Sequence, residues 1–345
     1  MSVAPASVLV FSGIISVQLG AGLAGRMFSE VGPAGVTGLR LWWGALIMAA
    51  LGGRSAGRAL RAAAADRAWR DLTVAACFGL VLGAMNFSIY QAFARIPLGV
   101  AVTIEFLGPL AVAVASSRRR VDVLWVVLAA AGVFLLTQGG GRLSSGSHGT
   151  GPFDGGPVLG LSTQAAGIGY ALVAAAGWAA YILLSRATGR RFTGSSGLTI
   201  AMIVAALLVT GPSVATAGPS LAYPSVIFEG LAIGLLSSVV PYRLELEALR
   251  RVPARVFGIW MSLEPAVAAL VGLLLLGEAL IFRQWVAICL VIVACAGAAR
   301  SGAGPAAGSQ SGGGPGGLGQ EPGDPRPGEQ PRDEQPAALP PPPAG

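Results

Sequence analysis

Residues 86–114 read NFSIYQAFARIPLGVAVTIEFLGPLAVAV, and they set a carboxylate, Glu105, in the middle of a run that is otherwise apolar. If residues 97–116 cross a bilayer as a helix, Glu105 sits near its centre, where an acidic side chain costs roughly 2.5 to 3.5 kcal/mol on insertion scales. A charge in that position is expected to face a cavity or a partner and not lipid. The stretch also recurs. A shift of 156 residues lays Ala92, Arg95, Pro97 and Pro109 on Ala248, Arg251, Pro253 and Pro265 without a gap, so the chain reads as duplicated.

The composition fixes the class. Of 345 residues 54% are hydrophobic and 11% charged, where soluble domains carry about 25% charged residues. This is the composition of an integral membrane protein. Residues 1–300 hold 21 Arg against 11 acids, and residues 301–345 hold 2 Arg against 5 acids, so the positive charge belongs to the membrane part. Cys77, Cys289 and Cys295 are odd in number and lie in apolar segments, which argues for packing residues over disulfides or thiolate metal sites.

Spans of about 20 mostly apolar residues can be marked at 7–25, 34–52, 72–93, 97–116, 121–139, 166–185, 197–217, 226–248, 254–276 and 282–299. The first has no positive n-region and reads as a retained helix, not a cleaved signal. Arginines cluster in every second connection: Arg54 to Arg70, Arg118 to Arg120, Arg186 to Arg191 and Arg250 to Arg255, while the opposite connections hold only Arg26, Arg95, Arg142 and Arg283. Short cytoplasmic loops carry such an excess, so both termini are expected in the cytoplasm. Five spans per half is an odd number, and the second half must then enter with reversed polarity. The expected fold class is an all-α membrane protein of ten helices in two inverted five-helix repeats.

The halves fall at residues 1–139 and 166–300. Between them, residues 140–165 form a Gly- and Ser-rich linker that carries the only histidine, His148, which reads as incidental. From Ser301 to Gly345 the chain turns to Gly, Pro, Gln and acid, a composition that cannot bury a core and is expected to be disordered.

Polar residues inside spans are the candidates for chemistry. Gly79, Gly83, Asn86 and Tyr90 recur at helical spacing on one face of the third span; small residues there permit close helix approach, and the polar pair can line a cavity. The matching face of the eighth span holds Gly230, Gly234, Ser238, Pro241, Tyr242 and Glu245, with Pro241 freeing a backbone carbonyl. Glu105 shares its face with Ala101 and Gly108. Glu264 precedes Pro265, and the repeat places it one turn from the Glu105 equivalent, Met261. Arg40, inside the second span, is the buried cation available to pair with Glu105 or to bind an anionic group, and Gln18 is a polar contact in the first span. Glu245, Glu247, Arg250 and Arg251 read as a solvated cluster at a helix end, and Glu278 as an interfacial carboxylate. No P-loop, dinucleotide fingerprint, metal-ligand cluster or nucleophile–base pair is found, which implies no cofactor, no metal and no enzyme.

The run IPLGVAVTIEFLGPLAVAV, the run SVVPYRLELEALRRVPARVFGIWMSLEPAVAALVGLLLLGEAL and ten spans in two halves resemble the EamA-type transporters of the drug/metabolite transporter superfamily. Within it the chain looks most like the threonine/homoserine exporter group. The resemblance covers roughly residues 7–299. It implies a carrier that moves small metabolites across the inner (plasma) membrane, with the third, fourth, eighth and ninth spans around a central cavity. The family's Gly-Glu motif matches Gly277 and Glu278, whereas the first half reads SSRRRVD at the equivalent place.

The expected function is therefore a secondary transporter exporting small metabolites, neutral amino acids such as threonine or homoserine foremost. The cavity set is Gln18, Arg40, Asn86, Tyr90, Glu105, Tyr242 and Glu264. Glu105 is expected to exchange a proton or meet the substrate ammonium, since a carboxylate in low dielectric can couple charge to conformation. Partners are a small-molecule substrate, protons and membrane lipid, without nucleic acid. Rival readings keep the fold with a drug, a nucleoside or another metabolite as cargo, or make the protein a non-transporting scaffold acting through its tail.

Overall fold

The computed structural model describes residues 5–65, 68–115, 121–137, 162–192 and 196–300. The 301–345 tail and most of the 140–165 linker, His148 included, lie outside the described residues. Those described form helices and turns with no strand among them. Seven helices are long and apolar enough to cross a membrane, and three shorter apolar ones cover Asp122–Leu136, Pro224–Val239 and Phe282–Ala298. Large apolar side chains face outward along them, Leu274 at 79% and Phe282 at 84% exposure among others, a surface suited to hydrocarbon and not to water.

Helix α1 (Ala6–Arg26) runs straight into α2 (Phe28–Ala65), which bends where Gly32 takes φ 67°. Only glycine adopts that conformation without strain, and Pro33 then begins a fresh helical turn, where its missing N–H is not needed. Helix α3 is Trp69–Phe93. The fourth span is not continuous: α4 (Leu98–Glu105) and α5 (Leu107–Ala115) are separated at Phe106, so Glu105 is the last residue of a short helix and not the middle of a long one. After α6 (Val121–Thr137), α7 (Thr163–Gly189) starts at Ser162, whose hydroxyl accepts the Ala165 N–H. Then come α8 (Ser196–Ala217), α9 (Pro224–Gly234), a π-helical turn (Leu235–Val239) and α10 (Val240–Leu249). The ninth span is again interrupted, as α11 (Ala254–Met261) and α12 (Glu264–Leu276), before α13 (Phe282–Ala298).

The backbone repeats with the sequence. α4 and α11 are both eight residues long and begin after prolines 156 positions apart, Pro97 at φ −53°, ψ 142° and Pro253 at φ −58°, ψ 143°. Both end on a residue at φ −63°, with ψ −12° at Phe106 and −13° at Ser262. Packing follows the same rule. Gly13 of α1 lies against Pro241 of α10, and Gly177 of α7 lies against Met85 of α3, the residue 156 before Pro241. α2 packs on α8, α4 on α12 and α6 on α13. Close approach makes these contacts possible: Gly79 and Gly83 let α3 ride on the backbone of α8 at Ala201 and Ala205.

Candidate functional site

A cavity of about 130 Å³ opens among α1, α2, α3, α4, α7, α10 and α12. Five of the seven residues expected from the sequence line it: Gln18, Arg40, Asn86, Glu105 and Glu264. Tyr90 is fully buried behind them. Its hydroxyl accepts a hydrogen bond from Arg40 at 3.1 Å while the guanidinium carbon lies 5.5 Å from its ring centroid, so Tyr90 orients the cation and does not line the space. Tyr242 lies on α10, with its side chain outside the described residues.

The position of Arg40 has a local cause. Pro241 has no N–H, so the carbonyl four residues earlier, that of Ser237, loses its helical donor. Arg40 supplies one, donating to Ser237 O at 3.4 Å, and the Ser16 hydroxyl donates to the neighbouring Leu236 O at 2.8 Å. The backbone accommodates the missing bond as a π-helical turn, a feature frequent at functional sites. The freed carbonyl expected at Pro241 is thus found, satisfied by Arg40, and its neighbour Leu236 O is satisfied by Ser16.

That turn also corrects the single face expected for the eighth span. Upstream of it Gly230 and Gly234 pack on Leu39 and Trp43 of α2, whereas downstream Pro241, Leu244 and Glu245 pack on Gly13 of α1. Glu245 departs from its expected place among solvated charges. It is 6% exposed and lines the cavity, because Gly13 leaves room for its side chain. Glu247 keeps the expected surface position, ion-paired with Arg251 and, at 3.5 Å, with Arg250. The Arg251 guanidinium, bonded to Glu247, holds that carboxyl below its ordinary value.

Glu264 sits at the start of α12, buried at 7% exposure, and accepts a hydrogen bond from Gln18 Nε2 at 2.9 Å. It is within electrostatic reach of Glu105 on one side and Glu245 on the other, and Arg40 acts on Glu105. Two polar atoms of residues that line the cavity, Gln18 Oε1 and Ser237 Oγ, are buried without a hydrogen-bond partner. Asn86 gives one amide hydrogen to its own helix at Leu82 O, 2.9 Å away. Trp178 and Tyr181 of α7 complete the wall, and the sequence reading missed both. Their one signal was a pair of aromatics at i, i+3 in the middle of a helix whose neighbouring residues are small or aliphatic.

A second correction concerns Glu278. It is 1% exposed, not interfacial. Gly277 ends α12 in the left-handed conformation at φ 68°, the chain turns back, and the Glu278 carboxylate accepts the Leu98 N–H at 2.8 Å. A carboxylate from the second half thereby caps the first turn of α4, where the helix dipole favours negative charge. Nearby, Arg95 is also buried, with its guanidinium 5.0 Å from the Tyr170 ring centroid and two bonds of 2.7 Å to Gln91. Burial lowers its pKa, with Tyr170 opposing the shift, and a guanidinium stays charged regardless. The cysteines are free thiols.

A multi-pass helical membrane protein with a charged cavity lined by residues from 17–105 and from 178–264 has the architecture of a carrier. The model of the EamA-like transporter family matches residues 165–300. The chain is 38% identical over 288 residues to the threonine/homoserine exporter RhtA of Salmonella typhimurium (strain SL1344), covering 82% of this chain and 87% of that one. It is 39% identical over 296 residues to the threonine/homoserine exporter RhtA of Escherichia coli (strain K12), covering 84% and 90%. A solved crystal structure, 18% identical, matches 86% of this chain and 98% of its own with a TM-score of 0.51, a likeness that speaks for the fold alone. The chain belongs to the EamA-like transporter family: it is a membrane transporter, not an enzyme.

Proposed function

We propose that this protein exports small metabolites, neutral amino acids such as threonine and homoserine foremost, across the inner (plasma) membrane by alternating access. The observation that carries the reading is the cavity, which sets one guanidinium and three carboxylates around a space of about 130 Å³. A volume well under the ~300 Å³ lower bound of pockets for drug-sized ligands favours a small zwitterion over a drug or a nucleoside. The names of the relatives point the same way.

The three shorter apolar helices would cross the membrane with the seven longer ones, giving ten spans in two inverted repeats, residues 1–139 and 166–300, with both termini in the cytoplasm. The matched helices after Pro97 and Pro253, and the matched contacts Gly13–Pro241 and Gly177–Met85, support that duplication. The halves would rock about the cavity between them. Glu105, at the end of α4 and under the influence of Arg40, would exchange a proton as the halves move.

The test is efflux of labelled threonine and homoserine from preloaded cells that hold equal membrane levels of wild type or Glu105→Gln. Wild-type efflux above the empty vector, abolished by the substitution, is expected. Wild-type efflux equal to the vector would remove these amino acids as cargo. Equal efflux with unchanged pH dependence in the variant would remove Glu105 from the coupling step.

A further inference from the structure

We propose that Gln18, Glu264 and Glu245 form the subsite that takes the cargo's ammonium group, leaving Arg40 and Asn86 to meet its carboxylate. This rests on the amino-acid reading above and assigns the two ends of the cargo to separate lining residues of the cavity.

Gln18 is the starting point. It lines the cavity and is 2% exposed, and its amide nitrogen is committed to Glu264 Oε1, while its carbonyl oxygen, a pure acceptor, is buried with no donor. A buried acceptor without a donor carries its desolvation penalty uncompensated until a donor arrives. Glu264 and Glu245, both more than nine-tenths buried and within electrostatic reach of each other, are acceptors when ionised. The group that fits is one that brings several N–H donors and a positive charge.

A bare metal ion is the other cation to consider. Among the described residues, however, no three acidic, His or Cys side chains come together as metal ligands do. A cation that binds through hydrogen bonds suits such a set of acceptors, and a primary ammonium brings three N–H groups for the three side chains. Other lining residues have the complementary chemistry. Arg40 is held in place by Tyr90 and by the freed Ser237 carbonyl, and Asn86 also lines the cavity. Glu105 is then left for the proton, which separates cargo recognition from coupling.

The test uses the purified full-length chain in liposomes, with labelled threonine uptake competed by three compounds: threonine, N-acetylthreonine, in which the ammonium is blocked, and threoninol, in which the carboxylate is absent. Wild type should prefer threonine to either analogue. A hydrogen bond to a charged group corresponds to roughly a ten- to hundredfold difference in affinity, so Gln18→Leu and Glu264→Gln should weaken threonine about that much. They should also erase the preference over N-acetylthreonine while keeping the preference over threoninol. Arg40→Gln should do the reverse. Glu245→Gln, which keeps the side-chain shape, serves in the same assay if Gln18→Leu elutes as aggregate on size exclusion. Retention of the wild-type preference against N-acetylthreonine in folded Glu264→Gln or Glu245→Gln overturns the assignment. Should wild type take no threonine or homoserine at all, the amino-acid reading falls by itself, and thermal shift with ethanolamine against acetate decides the subsite. Stabilisation by the amine that Glu264→Gln loses supports the assignment, and no difference between the two probes overturns it.

Discussion

Two turns of the chain, Gln91–Leu98 and Glu247–Ala254, are copies in backbone and opposites in environment. In both, the carbonyl of an alanine, Ala92 or Ala248, accepts two N–H groups, from Arg95 and Ile96 or from Arg251 and Val252. In both, the arginine bonds the side chain four residues before it, Gln91 or Glu247, and a proline starts the next helix. Yet Arg95 is buried beneath Tyr170 beside the capped start of α4, whereas the Arg251 and Glu247 side chains are 30% and 38% exposed. Matched backbone thus does not fix environment: what packs against each turn decides whether its arginine is enclosed or solvent-facing.

The widest gap between the turns is expected from their arginines. Arg95→Ala removes two buried hydrogen bonds from a charged donor and its stacking on Tyr170, which should destabilise the protein by about 2–3 kcal/mol, while Arg251→Ala should leave the detergent melting temperature unchanged. Equal shifts would mean that the burial of Arg95 contributes nothing. Next comes Gly99, whose repeat mate is Arg255. A Cβ on Gly99 would lie 2.7 Å from the Ala269 Cα, so Gly99→Val should overpack the α4–α12 contact by about 1–3 kcal/mol; a thermal melt at or above wild type would show that contact to be loose. Glu278→Ala should cost about 1 kcal/mol as a lost helix cap, with faster amide exchange over residues 98–100 as its particular signature. The smallest effect belongs to Glu247. Its carboxyl is held below the ordinary value of 4.5, so whatever the ion pair contributes is present above that pH and fades as pH falls through the lowered value. Because the pair is exposed, Glu247→Gln should not move the melting temperature at pH 7 in 150 mM salt; a clear drop would mean that this turn is more enclosed than its exposure indicates.

The membrane class was legible because hydropathy is a one-dimensional property, and the matched helix starts after Pro97 and Pro253 because they stand at a fixed offset. Glu105, Arg40 and Gln18 were legible for a related reason: a polar side chain in an apolar span has few places to go. Pro241 announced a freed carbonyl but not the donor that meets it, since nothing in sequence brings Arg40 of α2 to Ser237. Glu245 and Glu278 were misread for one physical cause. A charge near a helix end is solvated by default, and what overrides the default is packing from afar, Gly13 beneath Glu245 and the Leu98 N–H in front of Glu278. Trp178 and Tyr181 were missed because an aromatic in a membrane helix points to lipid or to a cavity with the same sequence signature.

The π-helical turn at Leu235–Val239 also sets a phase. An α-helix advances roughly 100° per residue, so the one surplus residue rotates everything after it relative to everything before. Gly230 and Gly234 are in phase with α2, and Glu245 is in phase with α1. Removing a single residue from the turn would leave composition, charge and hydropathy almost untouched, yet it would swing Glu245 by that angle away from Gly13. Which side chains line the cavity is thus carried by a residue count, a quantity that substitution tables do not score and that insertions and deletions change at one stroke.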